Sequence, residues 1–572
     1  MRRFGMLLLA IAVLGWALPY NVDPIDAPNV TGVSANPGAP AWDRVNIDSV
    51  GNIRSLLGSQ GKSIAVSNGG EAIAVFYGAK TGNQNNPMIA KVAYSLNGGA
   101  TWTKYGPFSG NARRMYNDVA GTPNFHVNPG ELWFCFQTTT LGYTDCQMQI
   151  MIEENLPSSP SFSVPIVPPN AAAPNTYPWE PSVVVLPDNP ATVVATGWDY
   201  LSAGDGYAYA WISTDGGYTY SDTINMGFIP TNGACGALAA GTGGYLIYAY
   251  LDTVGYSGTT PIWGPYYIES TDGGYNWSTR TPITGMPWNA ASLYWWHEFD
   301  AIVVNDEPWV IFNDIGTGGT GGPHVGKASG SPGSWTWSIW NMDVYGADSH
   351  WVADTLYYCA PSQYPNLSYD PVSGMVLASS KYNIYIGDNV TWATHNGAHL
   401  GGMWTLNNGS TWTIAQPLST AQTGTIVWGD WTGEATADHM VNSAGHVRHY
   451  SLWQHEDQAT EEGILYFESE VIGTWPGGIQ ETSNNLVSLY RFSVTPTVAS
   501  NICRASFTMP AAGNVALKVF DVSGRLVQHV FSGQAAGAQE ININTSQLSN
   551  GAYFVVLETE QGNVAQKVIT MR

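Results

Sequence analysis

Between Pro24 and Phe492 short apolar runs alternate with turns rich in Gly, Asn and Asp, and hydrophobic positions recur every second residue rather than every 3.6. Paired runs occur at 63–66 with 72–77, 124–127 with 131–136, 181–185 with 191–195, and 236–239 with 244–249. They recur at 300–304 with 308–312, 365–369 with 374–378, and 437–441 with 446–452, which makes seven hairpins. A strand unit of this kind is apolar on both faces and needs a neighbour on each, which radial stacking supplies. The pattern therefore predicts an all-β chain whose residues 21–492 form a β-propeller of six or seven four-stranded blades, with the first or last blade split to close the ring. Unit lengths vary from about 40 to 70 residues with no short strict period, which disfavours a β-helix.

Four turns share a second pattern, S/T-x-D/N-x-G-x-T/N-aromatic, at 95–102, 213–220, 270–277 and 405–412. An Asp or Asn side chain folds back onto backbone N–H groups, Gly supplies a positive φ, and the aromatic anchors the turn. The pattern resembles the Asp-box, or BNR repeat, of sialidase-like β-propellers. That resemblance implies structural roles for Asn97, Asp215, Asp272 and Asn407, in turns between third and fourth strands and away from the binding face. It also implies a sialidase site of three arginines, a Tyr/Glu nucleophile pair and an acidic Asp. The family's Phe-Arg-Ile-Pro motif is absent, and the arginines between Pro24 and Tyr490 are Arg44, Arg54, Arg113, Arg114, Arg280 and Arg448. No bidentate clamp for a carboxylate assembles from that set.

From about Val494 the texture changes to Gly513-Asn-Val-Ala-Leu-Lys-Val-Phe-Asp-Val-Ser-Gly-Arg-Leu-Val527, Ser549-Asn-Gly-Ala-Tyr-Phe-Val-Val-Leu557 and a closing Ala565-Gln-Lys-Val-Ile-Thr-Met-Arg572. The alternation predicts a small antiparallel β-sandwich over 493–572. This segment is similar to the type A sorting domain of the type IX secretion system, which implies the secretion machinery as partner and a secreted or cell-surface location. At the other end, a basic Met1-Arg-Arg and an apolar run at 6–18 read as a signal peptide, 1–20.

Composition narrows the partners. The net charge of −23 argues against nucleic acid and anionic membranes. With 11% charged residues, solubility rests on Ser, Thr, Asn, Gly and surplus carboxylates, and a monomer is expected. Export permits disulfides; Cys135 and Cys146, on neighbouring strands, are compatible with one, whereas Cys235, Cys359 and Cys503 are far apart in sequence.

In a propeller the loops entering the innermost strands line a funnel. The residues opening those strands are Asn124, Glu180, Cys235, His297, Glu298, Asp300, Asn366 and Glu434. Glu298, Glu180 and Glu434 suit general acid, base or nucleophile roles on a glycosidic bond. They and the neighbouring Asn124, His297, Asp300 and Asn366 equally suit binding of a ligand or of Ca²⁺, and no cofactor is required. Trp179 and Trp296 can stack on a sugar or pack beneath a loop. No zinc-protease, nucleophile-elbow or nucleotide-binding motif accompanies them. The expected partner is an extracellular glycan or polysaccharide, bound without reaction or hydrolysed by the carboxylates.

Overall fold

The computed structural model describes residues 45–570 apart from intervening stretches, the longest at 52–61, 286–298, 314–322 and 475–491; the expected signal segment 1–20 lies outside the described residues. Among the described residues every element is a strand, with no helix. Seven strand groups precede the C-terminal segment, again counted among described residues. The first is Ile64–Val66, Ile73–Lys80, Met88–Ser95 and Thr103–Tyr105. The second contains Asn117–Gly121, Leu132–Thr138 and Gln147–Ile152, extended by bridges from Ile150 to Ile166 and from Glu153 to Phe162.

Blades three, four and five are four-stranded, with inner strands Pro178–Leu186, Ala237–Ala240 and Phe299–Val304. In the sixth, the second half of Thr355–Asp370 forms the inner hairpin with Met375–Tyr385, while Asp348–Val352 pairs with its first half. The seventh runs from Trp431–Thr436 and Val441–Ser443 through His446–Asp457 to Glu462–Thr474. Its fourth strand is Val45–Gly51, paired antiparallel from Val45 opposite Phe467 to Gly51 opposite Glu462. The beginning of the fold thus completes its last blade, and backbone hydrogen bonds close the ring.

Each blade buries both faces. Phe76 and Val92 of blade one meet Phe134 and Phe136 of blade two, and Trp133 and Ile150 meet Val193 and Trp211 of blade three. Further cores join blades three and four at Val194 and Tyr248, four and five at Ile247 and Val310, and five and six at Trp309 and Val376. Leu377 and Val447 join six and seven, and Leu452 and Phe467 join seven to Ile73 and Val75 of blade one. Full burial of one such side chain contributes about 1.5–3 kcal/mol, so the ring is held chiefly by these seams.

The four S/T-x-D/N turns fasten four of the seven seams from outside, each against the preceding blade. In blade three, Gly217 N and Thr219 N donate to Ser213 Oγ at 2.7 Å and to Asp215 Oδ1 at 2.9 Å. The same bonds recur around Asn97, Asp272 and Asn407. The glycine is needed twice over: Gly99, Gly217, Gly274 and Gly409 have φ between 91° and 96° or at 85°, and an added Cβ would meet the preceding blade. That neighbour is Phe467 for Gly99, Trp133 for Gly217 and Trp340 for Gly409. The turn's aromatic docks on the same blade, as Trp102 does on Phe467 with centroids 5.1 Å apart and Trp412 on Trp340 at 5.6 Å.

Two expectations are corrected. Cys135 and Cys146 are free, buried thiols. Thr138 is opposite Gln147, so Cys146 lies about four residues, or roughly 13 Å, along the ladder from the level of Cys135, far beyond disulfide reach. Cys146 instead donates to Pro178 O at 2.9 Å. The inner strand of blade two is Asn117–Gly121 rather than the 124–127 run, because Phe125 tucks its ring into the seam with blade one from a turn.

The C-terminal segment has its own core, in which Val515, Leu517, Val519, Tyr553, Val555 and Leu557 alternate with less buried neighbours. The strands Ile502–Asp521, Leu526–Asn544, Gly551–Thr559 and Gly562–Thr570 are antiparallel, and Val498–Ala499 adds a parallel pairing to the last.

Candidate functional site

Counting back along each inner strand from its closing turn brings one polar layer to the axis: Lys62, Asp118, Ser182, Asp300, Asn366 and Asp438. Apart from Asp438, whose side chain is 58% exposed, these residues are buried. Buried carboxylates need donors, and the layer supplies them between blades. Asp118 accepts from Lys62 N at 2.7 Å, its own strand's Val119 N at 2.9 Å, and Val183 N of blade three at 2.8 Å. Asp300 accepts from Ala301 N at 2.8 Å and from Leu367 N of blade six at 2.6 Å. Each aspartate therefore stitches its inner strand to the following blade.

Lys62 joins the opposite sides of the ring. Its ammonium reaches from blade one to Asp300 of blade five, to Asp438 Oδ1 of blade seven at 2.7 Å, and to Leu367 O of blade six at 3.0 Å. Its three N–H donors thus have three acceptors. Burial lowers the Lys62 pKa, but the charges of Asp300 and Asp438 outweigh it and hold it above the ordinary lysine value. Burial raises Asp300, opposed by Lys62. Asp118 is pushed by burial up to about 8, against the pull of its three backbone donors.

This arrangement decides what Asp300 and Asp438 can do. Two carboxylates sharing one ammonium lie within roughly 5 Å of each other, near the spacing of a retaining glycosidase pair. Lys62 Nζ lies between the two carboxylates and pairs with both.

The sequence-derived candidates scatter. Asp300 and Asn366 lie in the axial layer, and Asn366 is buried. Asn124 sits in a turn at the end of the ring that carries the S/T-x-D/N turns, away from the funnel mouth. Trp179 is buried in the seam between blades three and four, so it is a core residue. Glu180 is on the inner strand of blade three at a bulge, where the register shifts between Thr196 and Trp198. Glu434 is on the inner strand of blade seven opposite Trp453. Trp296, His297 and Glu298 lie outside the described residues. Sequence reasoning missed Lys62, Asp118 and Asp438 as a group, since they meet only in the closed ring.

Residues 496–571 match a family described as a secretion system C-terminal sorting domain. The chain is accordingly a secreted or cell-surface protein. No curated protein sequence matches it. Among solved structures it is similar to an ulvan lyase of a polysaccharide lyase family, at 9% identity over 75% of this chain and 96% of that one, with a TM-score of 0.42. A Trypanosoma rangeli sialidase complexed with the inhibitor DANA shows 10% identity over 91% of this chain and 84% of that one, TM-score 0.37. An α-L-arabinofuranosidase from Fusarium graminearum shows 11% identity over 59% of this chain and 92% of that one, TM-score 0.36.

Proposed function

We propose that this exported propeller engages extracellular glycans at its funnel as a binding or adhesion module without cleaving them. The observation that supports the non-catalytic part is the axial ion pairing: Lys62 engages both Asp300 and Asp438 as its counter-ions. The glycan part is supported by the resemblance of the four turns to the Asp-box of sialidase-like propellers, together with surface delivery through the sorting domain. An acidic chain without an assembled arginine clamp favours a neutral sugar over an anionic one.

Glu180, Glu298 and Glu434 are then hydrogen-bond acceptors for sugar hydroxyls, and Trp296 a stacking surface. Affinity electrophoresis of the full chain in gels containing neutral polysaccharides tests this. Glu180→Gln, Glu298→Gln and Glu434→Gln should each lessen retardation on the polysaccharide that slows the parent. Unaltered retardation in all three would remove the funnel from the account. The hydrolytic reading, with these glutamates as acid and nucleophile, is favoured only if a defined sugar is released.

A further inference from the structure

The ring has a second concave feature at the end opposite the funnel mouth. A groove of about 260 Å³ lies between blades three and four, where the turns closing their first and third strands meet. Asp188, Asn189 and Thr192 line it from the first-to-second-strand connection of blade three, Thr214 from that blade's S/T-x-D/N turn, and Tyr275 from the equivalent turn of blade four. Tyr275 is 50% exposed.

The same turn one blade earlier carries Tyr218, which is 48% exposed but whose hydroxyl is engaged by Glu154 of blade two, the residue following that blade's third strand. In the next seam the residue following the third strand is Thr214, shorter and uncharged, and Tyr275 makes no such bond to a described residue. The other two turns carry Ala100 and Ser410 at this position. Of the two exposed tyrosines at this position, Tyr275 is the one that lines the groove.

The lining has unspent polar capacity. Asp188, which lines the groove, accepts through Oδ2 from Gly243 N at 2.7 Å, and its second oxygen bonds no described residue. Asn189 Nδ2 donates to Thr192 Oγ1 at 2.9 Å, leaving the amide oxygen. The Asp272 carboxylate is committed to its own turn through Ser270 and Asn276. A half-exposed ring flanked by a carboxylate, an amide and hydroxyls matches a pyranose or furanose, which offers an apolar C–H face and a rim of hydroxyl donors. The carboxylates of Asp188 and Asp272 select against an anionic sugar.

We infer that the blade three–four groove is a second carbohydrate subsite, taking one neutral sugar residue stacked on Tyr275 with its hydroxyls on Asp188, Asn189 and Thr214. It goes beyond the funnel reading and stands or falls separately from it, since it uses the other end of the ring.

The test is saturation-transfer NMR on the full chain with the methyl glycosides of glucose, galactose and arabinose, and N-acetylneuraminic acid as the anionic probe. At least one neutral glycoside should give a signal that Tyr275→Ala and Thr214→Glu each weaken about tenfold. Thr214→Glu places in this seam an acid equivalent to Glu154, able to engage the Tyr275 hydroxyl and add negative charge to the groove. Tyr218→Ala, which lies outside the groove lining, should leave the signal intact. No neutral signal in the parent, equal signals in Tyr275→Ala and Thr214→Glu, equal loss in Tyr218→Ala, or equal transfer to N-acetylneuraminic acid would each overturn the inference.

Discussion

Replacing Lys62 by Met removes a side chain that spans the ring while keeping its length and apolar stem. The loss falls unequally on its partners. Asp438 is 58% exposed and regains water, so its pairing is worth at most about 1 kcal/mol. Asp300 is 8% exposed and is left as a buried carboxylate without a counter-charge, a change that costs about 3–5 kcal/mol. Its bonds from Ala301 N and Leu367 N persist, so the lower end, about 3 kcal/mol, is expected at pH 8. At pH 5 the cost should shrink, because burial already raises the Asp300 pKa and loss of Lys62 raises it further. Lys62→Met with Asp300→Asn should recover about 2 kcal/mol of the single-variant loss. Urea unfolding followed by tryptophan fluorescence is the assay, and it reports on the propeller because residues 493–572 contain no Trp. A Lys62→Met cost below about 1 kcal/mol, or no recovery in the double variant, would refute the buried-pair reasoning.

Asp118 has a folded pKa of about 8 against an ordinary 3.8, so its contribution is complete below pH 3.8 and lost as pH rises toward 8. Asp118→Asn should therefore flatten the decline in urea midpoint between those limits; a steeper decline would contradict it. His449 runs the other way: burial lowers it from 6.5 to about 3, so its contribution is present above pH 6.5 and lost as pH falls toward 3. His449→Gln should reduce the acid-side slope, and an unchanged slope would argue that His449 is not kept neutral. Gly99→Ala should cost about 2–4 kcal/mol, since φ is +91° and the new Cβ would lie 2.1 Å from the Phe467 ring. Gly216→Ala, at φ +77° with nothing within 4 Å, should cost about 1 kcal/mol. Equal midpoints for the two variants would show that the Phe467 contact is not limiting.

The blades were legible because each inner hairpin writes its own pattern locally: an apolar run such as 72–77 must be a strand, and Gly at 98–99 must be a turn. Blade two was read out of place because Asn117-Asp-Val-Ala-Gly121 presents one large apolar residue, while Phe125 makes a turn look like a strand. Trp179 reads equally well as loop stacker or seam, and only the neighbouring blade decides it. The axial site was illegible for a different reason. Lys62 meets Asp300 and Asp438 only once the ring is closed, and no local pattern encodes the register of seven inner strands relative to one another. The groove on Tyr275 likewise depends on comparing seams, since Tyr218 and Tyr275 sit in nearly identical motifs.

The most direct measurement is to incubate the full-length secreted protein with a panel of neutral polysaccharides and sialosides, recording bound protein and released products in the same samples. The account predicts retention on at least one neutral polysaccharide with no product accumulating over time. Release of a defined sugar, abolished by Glu298→Gln or Glu434→Gln, would contradict it and make the funnel an active site.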